Sequence, residues 1–126
     1  MEAEFIPYEQ ALALKELGFD EPCFASYVKE SKEFTTRGFA DFYKEQQIYA
    51  PLYQQAFRWF REKYNLYHVI TIADLGKYES GNPDFQSAIY SKDPVVITMM
   101  NNYKTYEEAE LECLKKLIEI VKEKQL

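Results

Sequence analysis

Residues 50–73, APLYQQAFRWFREKYNLYHVITIA, pass from helical to extended periodicity across a single residue, and the rest of the chain must pack against that joint. Pro51 suits a first helical position, where its missing N–H costs nothing, with Ala50 as the cap. At 100° per residue, Leu52, Tyr53, Ala56, Phe57, Trp59, Phe60 and Tyr64 share one broad arc. Gln54, Gln55, Arg58, Arg61 and Glu62 fall opposite, so one face is to be buried. Asn65 tolerates the left-handed conformation that ends helices. Beyond it Leu66, His68, Ile70 and Ile72 alternate with Tyr67, Val69, Thr71 and Ala73, the period of a strand.

Flanking segments supply further elements. Residues 8–17 are rich in helix formers behind Pro7, and Gly18-Phe19 fits a Schellman ending in which glycine takes the left-handed angle. Residues 23–28 read as a strand, placed at an edge because charged residues flank it. Residues 25–49 form a variable segment compatible with a second short strand or a short helix. Residues 74–84, DLGKYESGNPD, read as turns, and residues 85–91 and 95–100 as two more strands of an antiparallel meander. Thr105 with Glu108 makes a capping box. The helix that follows has a core stripe of Ala109, Cys113, Leu114, Leu117, Ile120 and Val121, widened by Leu111 and Ile118, and an outer pair Glu112–Lys116.

The order α-(β)-α-β-β-β-α predicts an α+β fold: a small three- to four-stranded antiparallel sheet packed against helices, in a single domain spanning 1–126. With 47% hydrophobic residues, 11 Tyr and 9 Phe, the 126-residue chain has ample material for one core. The net charge of −6 works against attraction to nucleic acid and anionic membrane. Apolar runs are too short to cross a bilayer, and the first ten residues, MEAEFIPYEQ, lack the pattern of a signal peptide, so a cytoplasmic protein is expected. Cys23 and Cys113 lie far apart without CxxC spacing and read as reduced packing residues.

Candidate sites are few. Helix, three strands and helix is also the order of double-stranded RNA binding domains, but the last helix opens Tyr106, Glu107, Glu108, Ala109, Glu110, acid where such a domain needs base. Nucleic acid is therefore not the expected partner. Arg58 and Arg61 read as a solvated face or a charged binding surface, and Trp59 as a core residue or a binding anchor. His68, the one histidine, lacks a nearby carboxylate or nucleophile and reads as a half-buried structural residue before a catalytic base. Glu110 projects into the apolar arc of the last helix, either reaching water under the favourable helix dipole or paired with an arginine or His68. No GxxxxGK[ST], GxGxxG, HExxH, GxSxG, EF-hand or paired CxxC pattern occurs, so no cofactor and no metal are expected.

Residues 50–67, APLYQQAFRWFREKYNLY, residues 103–122, YKTYEEAELECLKKLIEIVK, and residues 14–24, LKELGFDEPCF, resemble a group of short uncharacterised proteins encoded in phages and prophages of Bacteroidetes. The resemblance leaves out residues 25–49. It implies a phage-derived protein working in a bacterial cytoplasm, and neither a mechanism nor functional residues.

Size, acidity, tyrosine excess and the lack of a catalytic constellation together favour a non-enzymatic protein-binding module that modulates a host component. The alternative is a small-ligand protein with a pocket between sheet and helices, lined by tyrosines and polarised by Glu110 or His68. A homodimer joined through a sheet edge or helix face is a third reading. The binding module, acting through aromatic and charged surface residues, predicts a flat exposed aromatic patch, and the ligand protein predicts a deep cavity.

Overall fold

The computed structural model describes residues 2–36, 47–73, 84–93 and 95–124. The fold is α+β, with α1 (Tyr8–Glu16), β1 (Ala25–Val28), β2 (Phe34–Thr35), β3 (Gln47–Ala50), α2 (Tyr53–Tyr64), β4 (Leu66–Ala73), β5 (Asp84–Ser91), β6 (Val96–Tyr103) and α3 (Tyr106–Lys124). The strands form two three-stranded antiparallel sheets, ordered β2-β1-β3 and β4-β5-β6, where the sequence suggests one sheet of three or four strands. Two compact units result, Met1–Ala56 and Phe57–Leu126, and the division falls inside α2.

In the first unit α1 ends as its sequence dictates. Gly18 adopts φ 102°, its N–H donates to the Lys15 carbonyl at 3.0 Å, and the Phe19 N–H reaches the Leu14 carbonyl at 2.9 Å. Those two bonds are the Schellman pair, and they satisfy carbonyls that the helix end leaves open. Pro7 is the N-cap rather than the first helical residue: its φ of −62° and ψ of 158° are extended, and its carbonyl accepts from the Ala11 N–H at 2.9 Å.

Strand β1 is the centre of its sheet and not an edge. The charged flanks Glu21, Lys29 and Glu30 lie outside the strand, and its Ala25, Ser26 and Tyr27 are buried, which suits a strand paired on both sides. The Tyr27 hydroxyl donates to the Ile6 carbonyl at 2.8 Å, so a ring that packs against Tyr8 and Phe34 also has its polar end satisfied. Of the alternatives open for residues 25–49, the short strands β2 and β3 are seen, and residues 37–46, with the aromatic residues Phe39, Phe42 and Tyr43, lie outside the described residues.

Helix α2 begins two residues after Pro51, with the Leu52 carbonyl accepting its first bond from the Ala56 N–H at 3.1 Å. Ala50 is the last residue of β3 and Pro51 is buried, so the proline serves the strand-to-helix bend rather than the first turn. Tyr53, Ala56, Phe57, Trp59 and Phe60 are buried on the expected arc. Asn65, at φ 56°, closes the helix by donating from its N–H to the Arg61 carbonyl at 3.2 Å, and β4 starts at the next residue.

In the second unit β4, β5 and β6 form the predicted meander; of the turn expected over 74–84, residues 74–83 lie outside the described residues and Asp84 is already the first residue of β5. The Thr105 Oγ1 accepts from the Glu108 N–H at 3.0 Å, the N-terminal cap of α3. All of the stripe Ala109, Cys113, Leu114, Leu117, Ile120 and Val121 is buried, together with Ile118. Each fully buried aliphatic side chain in it contributes about 1.5–3 kcal/mol. On the outer face Glu112 pairs with Lys115 at 3.1 Å and Lys116 with Glu119 at 3.4 Å, in place of the expected Glu112–Lys116 pair.

Candidate functional site

The register of the second sheet decides what each face carries. Leu66, His68, Ile70 and Ile72 of β4 stand beside Ser91, Ile89, Ser87 and Phe85 of β5, because directly paired residues point the same way. This face is the one α3 covers: the Phe85 ring meets Tyr106 at 6.0 Å, and Ser87 lies against Cys113. Phe57 of α2 lies on the same face, stacked on His68 at 3.7 Å with the rings 14° from parallel.

The other face carries Tyr67, Val69 and Thr71 of β4, Gln86, Ala88 and Tyr90 of β5, and Val96 and Met99 of β6. Val69 is 41% exposed, Val96 46% and Met99 53%, around a central Ala88 that their side chains hide. A shift of register between Ile89 and Tyr90 leaves Ile97 as an extra residue, also exposed. Asp84, at the far end of β5, is the one charged residue on this face among the described residues. Its exposed residues are aliphatic where an aromatic patch is expected, and with Asp84 confined to one end this face is the strongest candidate interaction surface in the second unit.

The five residues singled out from sequence all lie in this unit. Arg58 is exposed and pairs with Glu62 at 4.0 Å, consistent with a solvated helix face. Trp59 is buried at 5% exposure, meeting Phe60 at 5.1 Å and Tyr64 at 5.4 Å with the Lys63 ammonium 5.1 Å from its ring; it closes the core. Arg61 and His68 are brought together. Burial pushes the imidazole pKa down and the Arg61 charge pushes it further, to about 4, so His68 is neutral at pH 7.

Glu110 is half-buried, and its pKa is raised by burial and then by Glu107. An arginine or imidazolium partner would lower it, so the direction fits a carboxylate facing another carboxylate. Cys113 is fully buried; burial pushes its thiol up to about 12 despite the Ser87 hydroxyl beside it, which leaves no thiolate for chemistry. Cys23 is likewise raised to about 12, by burial and by Glu21, and both thiols are free. Among the described residues there is no cluster of His, Cys, Asp and Glu able to hold a metal ion, and no helix long and apolar enough to cross a membrane.

The first unit holds a separate feature, an open cleft of about 530 Å³ between α1 and β3. Its floor is Ala11 and Phe19, its rim Lys15, Gly18 and Asp20, and its wall Gln47 and Tyr49. A tyrosine lines it as expected for a ligand pocket, whereas His68 and Glu110 belong to the other unit. Neither the sheet face nor the cleft was among the residues marked from sequence. The available signal for the face was parity: if helices cover one side of a meander, residues of opposite parity are left bare. Compared with protein-family models, curated proteins and solved structures, the chain matches none.

Proposed function

We propose that this protein is a small non-enzymatic binding module that holds a partner protein against the open face of the β4-β5-β6 sheet. The observation that carries the reading is the patch of Val69, Val96 and Met99, exposed on a face that is uncharged apart from Asp84 at one end. Removing water from a patch of this kind lowers the free energy, and Trp59 and His68 elsewhere in the unit are already engaged in packing against Phe60, Tyr64 and Phe57. The partner we propose is a basic host protein presenting an apolar surface rimmed by lysine and arginine. The net charge of −6 favours that partner over a second copy, which brings the same charge to the interface. The phage-derived origin and cytoplasmic setting implied by the resemblance are part of the proposal.

The test is capture from a lysate of a Bacteroidetes bacterium with the wild-type protein and with Met99→Lys in parallel. The reading expects one basic protein, recovered in near-equal amount by the wild type and lost with Met99→Lys, while the variant keeps its circular dichroism spectrum. Equal recovery by both proteins, or a doubled mass of the free protein in solution, would overturn it.

A further inference from the structure

We propose that the cleft between α1 and β3 binds a small zwitterionic ligand of the α-amino-acid type with an apolar side chain. The inference is independent of the sheet face, since every residue involved lies in the first unit. The cleft volume of about 530 Å³ falls within the range of small-ligand sites, roughly 300–1,000 Å³.

Its chemistry is graded from floor to rim. Ala11 and Phe19 are buried at 1% and 4% exposure and present an apolar floor with an aromatic ring, suited to a branched or aromatic side chain. Above them, among the described residues, stand one ammonium, Lys15, and one carboxylate, Asp20, both exposed. A lone anion there meets repulsion from Asp20 and a lone cation from Lys15, whereas a ligand carrying one charge of each sign satisfies both. The Gln47 carboxamide and Tyr49 hydroxyl donate and accept, so they serve either end of such a ligand. Gly18, held at φ 102° by the helix ending, has no side chain to close the approach.

A second observation points the same way. Ser26 pairs with Tyr49 across β1 and β3, so both side chains stand on one face of the sheet, and Gln47 two residues on shares it. The Ser26 Oγ is fully buried there with no hydrogen-bond partner among the described residues. Ser26 does not itself line the cleft, but its unbonded hydroxyl lies on the face of the sheet that carries the polar wall, next to Tyr49 in the adjoining strand.

The experiment is a titration of the 15N-labelled full chain with L-phenylalanine and L-leucine, followed by amide shifts. Two analogues, N-acetyl-L-phenylalanine and L-phenylalaninamide, each lack one of the two charges. We expect saturable shifts confined to Ala11, Gly18, Phe19, Gln47 and Tyr49 with a dissociation constant of about 1 mM or tighter. We expect binding about tenfold weaker for each analogue and for Lys15→Ala and Asp20→Ala, which alter exposed residues and spare the core. Absence of saturable shifts up to about 10 mM, or equal binding by the analogues and both variants, would overturn the assignment.

Discussion

Protonating His68 should loosen the second unit, and the size of the effect follows from its surroundings. The imidazole is stacked on Phe57 at 3.7 Å and lies near the Arg61 guanidinium, which together with burial holds its pKa near 4 against an ordinary 6.5. Between those values the unfolded chain binds a proton that the folded chain refuses. Stability is therefore full above pH 6.5, falls as the pH drops through the window, and levels off below about 4. At about 1.36 kcal/mol per tenfold in proton affinity the full interval is worth roughly 3 kcal/mol; because the ring is only half-buried and water screens it, about 1–2 kcal/mol is the expected loss. The assay is urea unfolding of the wild type and of His68→Phe at a series of pH values. Other titrating groups are common to both proteins, so their difference isolates the imidazole. The chain has one histidine, so its ring proton resonances give the pKa directly. A measured pKa near 6.5, or the same pH dependence in both proteins, would refute the reasoning.

Three further changes test the local accounts. Gly18→Ala places a β-carbon at φ 102° and should lower stability by about 1–2 kcal/mol in urea unfolding. Thr105→Ala removes the acceptor of the Glu108 N–H and should cost about 1 kcal/mol, with faster amide exchange in the first turn of α3. Glu110→Gln removes a carboxylate that burial and Glu107 disfavour, and should raise stability at neutral pH by roughly 0.5 kcal/mol, a small figure because the half-buried side chain is screened by water. Its folded pKa is raised, so that gain must vanish as the pH falls and the wild-type carboxyl takes up its proton.

How far the sequence discloses this molecule depends on whether the deciding interactions are local. The joint at Asn65 is legible because a left-handed residue lies between an amphipathic arc and an alternating strand, all within one stretch of chain. Helix α3 is legible for the same reason, through its cap and its stripe. The charged flanks of β1 suggest an edge because its centrality depends on pairing with Gln47–Ala50, some twenty residues away and behind a segment without periodicity. Strand β2, Phe34–Thr35, is too short to show any period. The start of α2 differs because a proline can equally serve as a first helical residue or as a bend after a strand, and the pairing of β3 decides which. The open sheet face hides behind the extra residue Ile97, which breaks the alternation through β6. The cleft arises from helix and strand meeting, which no single stretch of sequence encodes.

The central claim is that the open face of the β4-β5-β6 sheet is where a basic partner protein sits. The most direct measurement places a photo-crosslinking amino acid at position 99, on that face, and in a second protein at position 119, on the outer side of α3, and irradiates each in living cells of a Bacteroidetes bacterium. The account predicts one dominant adduct from position 99, with a basic protein, and none of that mass from position 119. No adduct from position 99, the same adduct from both positions, or an adduct with the mass of two copies of this chain would contradict it.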